Sequence, residues 1–210
     1  MSFEPSGGLL HSSLVMQDFE TLSYWAIMKG ESIAGQFKGT KMIELPVGEK
    51  IQWKHWRSKH PDTVVLSVDG KEDGKDSYKE YFNSPSGFRG SETWDKRLKT
   101  KEPVFAFRYQ EKKYAVTHKK IAGGAVFNLG KLQLFLYRAK DAQMFESTVA
   151  FVAEGDGFQT DGEGWRWQEV IFNLGARSFP GGNGPEKLQG GFDTFWYNWI
   201  WNNPETLILE

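Results

Sequence analysis

The residues whose types and spacing could do chemistry are carboxylates and a histidine standing near tryptophans. Asp18 and Glu20 precede Thr21 ahead of Trp25, and Asp156, Asp161 and Glu163 precede Trp165 and Trp167. Carboxylates beside indoles furnish sugar-binding clefts, and paired acids do the work of glycosidases, one giving a proton while the other acts as base or nucleophile. His60-Pro61-Asp62-Thr63 is the second polar cluster, since an imidazole oriented by a carboxylate can serve as a general base. The candidate catalytic residues are therefore Asp18, His60 and Glu163, and the candidate ligand-stacking residues are Trp25, Trp165, Trp167 and Trp201. Each also has a structural reading. Gly155-Asp156-Gly157 and Asp161-Gly162 are turn formers, and a Thr following a Pro bonds turn backbone through its hydroxyl.

Other chemistries find no support in the pattern. The absence of Cys removes disulfides, thiolate metal sites and a Cys nucleophile. His11, His55, His60 and His118 stand at no helical ligand spacing, so no metal site is expected. No nucleophile elbow, phosphate-cradling loop or dinucleotide fingerprint is present, and no cofactor is expected. The Gly181-Gly182-Asn183-Gly184 loop lacks a following Lys-Ser/Thr and reads as a flexible rim. With 26 basic side chains against 27 acidic ones, the net charge of -1 offers nothing to nucleic acid or an anionic membrane. Neither a signal peptide nor a run of roughly 20 apolar residues is visible, so the chain is expected to be soluble and, by default, cytoplasmic.

The elements that must position these residues are legible from aromatics and punctuation. Nine Trp, sixteen Phe and 23 Gly in 210 residues favour short strands and tight turns over long helices. Val104 to Arg108 and Lys113 to Val116 flank a polar Gln110-Glu111-Lys112 turn, and Ala125 to Asn128 and Leu132 to Tyr137 flank Gly130, so two hairpins are expected. Met144 to Val152 adds a further strand-like run. Two segments break the pattern. Trp53-x-x-Trp56-x4-Pro61-x-Thr63 recurs at identical spacing as Trp196-x-x-Trp199-x4-Pro204-x-Thr206. Each predicts a short helix with Trp on its apolar face, ending near His60 or Asn203 ahead of the Pro, followed by strand at Val64-Val65-Leu66 or Leu207-Ile208-Leu209. Asp193 and Thr194 are the expected N-caps of the second.

The recurrence implies an internal duplication, with Thr21 to Trp25 opposite Glu163 to Trp167 upstream. It predicts an α+β, mainly β protein of two related lobes, each a small twisted or barrel-like antiparallel sheet with one short Trp-bearing helix. Residues 1–68 form the first, shortened lobe, 69–101 a polar connector anchored by aromatics, and 102–210 the second lobe.

Leu14-Val15-Met16-Gln17-Asp18-x-x-Thr21-x-Ser23-x-Trp25, Gly30-Glu31-x-Ile33-x-Gly35, the first Trp-x-x-Trp with His60-Pro61-Asp62-Thr63, Tyr78-x-x-Tyr81-Phe82, Arg97-Leu98-x-x-Lys101-Glu102-Pro103-Val104 and Thr194-Phe195-Trp196 together resemble the domain of unknown function 3179 family. The resemblance spans nearly the whole chain and implies no activity. Members of that family place a Cys-x-x-Cys-Gly segment in strands ahead of the first copy, where this chain has only Met1 to Ser13, so no redox or metal role carries over. A shortened first copy leaves a sheet edge to be covered by the other lobe, the connector or a second chain, and a homodimer is one expectation. Two functions remain open: a non-catalytic binding or self-associating module with an aromatic-lined cleft for a small molecule or sugar, and an enzyme using carboxylate or His60 acid-base chemistry on a small organic molecule.

Overall fold

The structure is a computed structural model, and it describes residues 1–45, 49–66, 78–144, 146–160, 162, 164–182 and 184–210. Strands account for 38% and helices for 11% of the described residues, so the fold is mainly β, built of small sheets and, among these residues, three short helices. None of the sheets closes into a barrel. No helix among the described residues is long and apolar enough to cross a membrane.

In chain order the elements are β1 (Phe3–Leu10), β2 (Ser13–Asp18), β3 (Tyr24–Ala26), β4 (Glu31–Ala34), α1 (Trp53–Lys59), α2 (Lys79–Asn83), β5 (Pro103–Tyr109), β6 (Lys112–Thr117), β7 (Ala125–Leu129), β8 (Leu132–Tyr137), β9 (Val149–Glu154), β10 (Phe158–Thr160), β11 (Trp165–Trp167), β12 (Val170–Ile171), β13 (Glu186–Lys187), β14 (Phe192–Phe195), α3 (Trp196–Asn202) and β15 (Leu207–Ile208). They gather into two compact units, each drawn from separated stretches of chain. The first comprises Met1–Val47, Pro85–Ile121 and Leu188–Glu210, and the second Gly48–Ser84 and Ala122–Lys187.

The first unit holds a four-stranded meander, β1-β2-β3-β4, and a second sheet ordered β14-β5-β6-β15. In the latter, β5 and β6 are the expected hairpin, and β15 joins β6 in parallel, with Leu207 opposite Tyr114 and Ile208 opposite Ala115. Small and β-branched residues on β5 and β6 leave room for indoles. Val104, Ala106 and Ala115 form one core with Met28, Trp196, Trp199 and Ile200. α3 starts from Phe195 in extended conformation as its N-cap. Asp193 and Thr194, expected as caps, lie instead in β14, where Asp193 pairs with Phe105 and Thr194 with Val104; strand pairing claims the backbone that a cap would need.

The second unit holds the sheet β13-β9-β8-β7 and the three-stranded β10-β11-β12. The expected second hairpin is β7-β8. The run expected as strand from Met144 begins pairing only at Val149. The core is aromatic: Phe135, Tyr137, Phe151, Phe158 and Phe172 bury together, with Trp165, Trp167 and Phe179 packed on them. α1 ends at His60, as the following Pro61 requires. Its tryptophans were expected in a core, yet Trp53 is 45% exposed. Val64, Val65 and Leu66 do not form the expected strand and pair with no strand among the described residues.

Candidate functional site

The concave site of the first unit is built around Arg108, near the end of β5. Its register partner is Lys113, and the hairpin turn between them places Gln110 and Glu111 at φ +47 and +60. Left-handed backbone at both central positions is what a two-residue hairpin turn that matches the strand twist requires. The Arg108 guanidinium is held from four directions. Nη1 donates to Glu44 Oε1, Nη2 donates to Met28 O and to Asn203 Oδ1 (3.1 Å), and the plane lies 4.9 Å over the Trp199 ring. Asn203 returns the support through Nδ2, which donates to Met28 O (3.2 Å) and Trp199 O (3.1 Å). The second oxygen of Glu44 accepts from Gly191 N (3.1 Å). Gly30 must be glycine here for two reasons: its φ is +74, and a Cβ would sit 3.1 Å from Arg108 Nη1.

Beside this network is a pocket of about 320 Å³ whose walls include Lys29, Glu31, Lys41, Glu44, Tyr109, Glu111, Lys113 and Asn202. Its charges are mostly matched. Lys29 and Lys41 both hold Glu31, and Lys113 lies 3.9 Å from Glu205. Hydrogen bonds from Lys29 and Lys41 outweigh burial and keep the Glu31 carboxyl below the usual range, so it stays ionised. Asn202 is buried and donates through Nδ2 to Asn198 O (2.9 Å), while its Oδ1 has no hydrogen-bond partner. A buried acceptor left bare calls for a donor. An adjoining apolar hollow of about 200 Å³, with walls from Ile27, Ile43, Leu45 and Phe192, shares Gly30, Met42 and Glu44 with the pocket.

The residues singled out in the sequence are placed elsewhere. Asp18 and Trp25 come together: Asp18 is buried at the end of β2, and its oxygens accept from Thr21 N (2.6 Å), Thr21 Oγ1 (2.7 Å) and Trp25 Nε1 (2.8 Å). The Asp-x-x-Thr-x-Ser-x-Trp run thus staples the β2-β3 turn. Burial alone would raise the Asp18 pKa, but hydrogen bonds from Trp25, Thr21 and the Thr21 and Ser23 backbone outweigh it and hold the carboxyl below its ordinary value. A folded-state pKa depressed in this way gives stability that is complete above the unfolded-state value and lost as pH falls through the folded-state value. Asp18→Asn is accordingly expected to flatten the acid limb of a urea-midpoint against pH profile; an unchanged limb would mean that Asp18 carries none of it.

In the second unit, His60 is exposed after α1, its ring 4.2 Å from that of Trp56. Trp165 packs 5.0 Å from Phe135 and donates to Gly123 O (2.6 Å), whereas Trp167 buries its Nε1 without a partner. Trp201, in the first unit, is 37% exposed. It stacks on His11 at 5.4 Å, meets Trp94 edge-on at 6.3 Å and donates to Glu92 O (3.0 Å). Glu163 and Asp161 lie outside the described residues, as do Asn183 of the Gly-rich loop and residues 69–77 of the expected connector.

None of Arg108, Glu44, Glu31, Lys29, Lys41 and Asn202 stands out in the sequence as a site residue, because each is an ordinary charged or polar residue in its own segment. The one available signal was Arg108 itself, a cation closing an otherwise apolar strand run of Val104 to Phe107.

Fold and site together define a mainly β protein of small antiparallel sheets with a charge-lined pocket in its first unit. The family model described as protein of unknown function (DUF3179) matches residues 1–206 of the 210, and the chain belongs to that family. No curated protein and no solved structure matches it.

Proposed function

We propose that this protein is a non-catalytic binding module whose pocket beside Arg108 takes a small hydroxylated, sugar-like molecule. The observation that carries the reading is the pairing of the pocket's charges around a fixed Arg108-Glu44-Asn203 network. A multiply charged anion would have to displace carboxylates that already hold the cations. Hydroxyls donate to the carboxylates and accept from the ammonium groups at once, with no net charge to match. The adjoining apolar hollow suits the C–H face of a ring.

Support for a binding rather than catalytic role comes from the protonation states. Among the described residues the pocket contains no His and no Ser or Thr hydroxyl, and its Glu31 is held ionised by two lysines, which weakens it as a base. The test is to titrate the isotope-labelled full chain with glucose and N-acetylglucosamine, with inorganic phosphate as the anionic control, following backbone amides. Saturable shifts at Gly30, Met42 and Lys113 with a sugar, lost in Lys41→Ala and Glu111→Ala variants, are expected. Shifts with phosphate alone, no shifts at all, or conversion of the bound sugar would overturn the reading.

A further inference from the structure

The two Trp-x-x-Trp segments take the same local form. Both helices are seven residues long; they start from extended N-caps (Gln52 at φ -62, ψ 136; Phe195 at -95, 147) and end on alike C-caps (His60 at -131, 70; Asn203 at -140, 66). In both, the second indole donates to the Thr beyond the Pro: Trp56 Nε1 to Thr63 Oγ1 at 2.9 Å, and Trp199 Nε1 to Thr206 Oγ1 at 2.8 Å. Their surroundings are opposite. Trp196, Trp199 and Ile200 are 0% exposed against β5 and β6, and β15 pairs with β6. Trp53 is exposed, and Val64, Val65 and Leu66 are 90, 58 and 95% exposed.

A seven-residue helix and an apolar run that pairs with no strand among the described residues gain stability chiefly by docking. This one is not loosely attached. Its root is fixed within the second unit, where Lys50 exchanges hydrogen bonds with Ser147 and Gln52 donates to Glu146 Oε1 (2.8 Å). The buried segment shows what such a motif docks on: an antiparallel hairpin whose inner face is small and β-branched, with a free edge for parallel pairing. Charge selects among occupants. α1 carries exposed Lys54 and Arg57 and no acidic residue, so a second copy across a two-fold axis would oppose like charges, while a hairpin with carboxylates at its rim would be attracted.

We propose that residues 53–66 are a docking element for an acidic-rimmed β-hairpin of another polypeptide, which receives Trp53 and Trp56 on its face and pairs its edge with Val64 to Leu66. The probe is a labelled peptide of residues 103–117, the natural seat of α3, closed by a terminal disulfide and carrying Lys112→Glu and Lys113→Glu. Fluorescence anisotropy with the full chain should show saturable binding that weakens with added salt and by about tenfold in Val65→Lys and in Trp53→Ala. Trp53 and Val65 are exposed, so these variants should keep the circular dichroism of the parent. The proposal is overturned by absence of saturable binding, by binding indifferent to both substitutions, or by peptide-independent dimerisation that Val65→Lys abolishes, which would assign the surface to a second copy.

Discussion

Trp199→Ala is expected to destabilise the protein by about 3–5 kcal/mol, the range for deleting a buried indole, whereas Trp53→Ala at the start of the matching motif should change stability by less than about 1 kcal/mol. Trp199 is fully buried among Val104, Ala106 and Ala115, and small neighbours cannot swell to fill the cavity left behind. The deletion also strands two partners. Thr206 Oγ1 loses the indole N–H that it accepts, and Arg108 loses the ring beneath its guanidinium. Trp53 keeps 45% of its surface in water, so truncation removes little burial. Thermal denaturation of the two variants reads the contrast directly, with a fall in midpoint of roughly 10 °C expected for Trp199→Ala. Equal falls would show that α1 is packed in solution as α3 is.

The local content of the fold was legible because it depends on nearest neighbours. Pro61 and Pro204 disfavour helix at the residue before them, and the helices end at His60 and Asn203. Gln110-Glu111 and Gly130 set the two hairpins. What the pattern could not convey is which apolar face finds a partner. Trp-x-x-Trp reads identically in both segments, yet one face meets β5 and β6 while the other leaves Trp53 exposed and Trp56 half-buried, because burial depends on residues far away in the chain. The same limit hid the pocket. Asp18 and Trp25 are neighbours in sequence and were readable as a pair, although their pairing closes a turn. Arg108, Glu44 and Asn203 lie far apart in the chain and converge only through tertiary packing. Motifs of short span register turns and caps, while charged networks of long span leave no local trace.

That long-span network predicts the second large effect. Arg108→Met, which keeps most of the side-chain volume but removes the charge, is expected to cost about 2–3 kcal/mol. Loss of one member of a fully buried pair costs about 3–5 kcal/mol, and the lower figure follows because Arg108 and Glu44 keep 25% and 22% of their side-chain surface in water. Glu44 would then keep the Gly191 N–H as its one remaining hydrogen-bond donor among the described residues, and Asn203 Oδ1 would lose the Arg108 donor. Arg108→Lys should recover less than half of the loss, since one ammonium cannot reach Glu44, Met28 O and Asn203 Oδ1 together as the planar fork does. Glu44→Gln is milder, about 1 kcal/mol, because the amide oxygen can still accept from Gly191. Combining Arg108→Met with Glu44→Gln should be less damaging than the sum of the singles by about 1 kcal/mol, as the neutral amide no longer needs the cation. Denaturant midpoints of the four proteins complete the cycle. Strict additivity would mean that Arg108 acts through Met28, Asn203 and Trp199 alone, and the pocket floor would then be an aromatic-amide clamp in which Glu44 has no part.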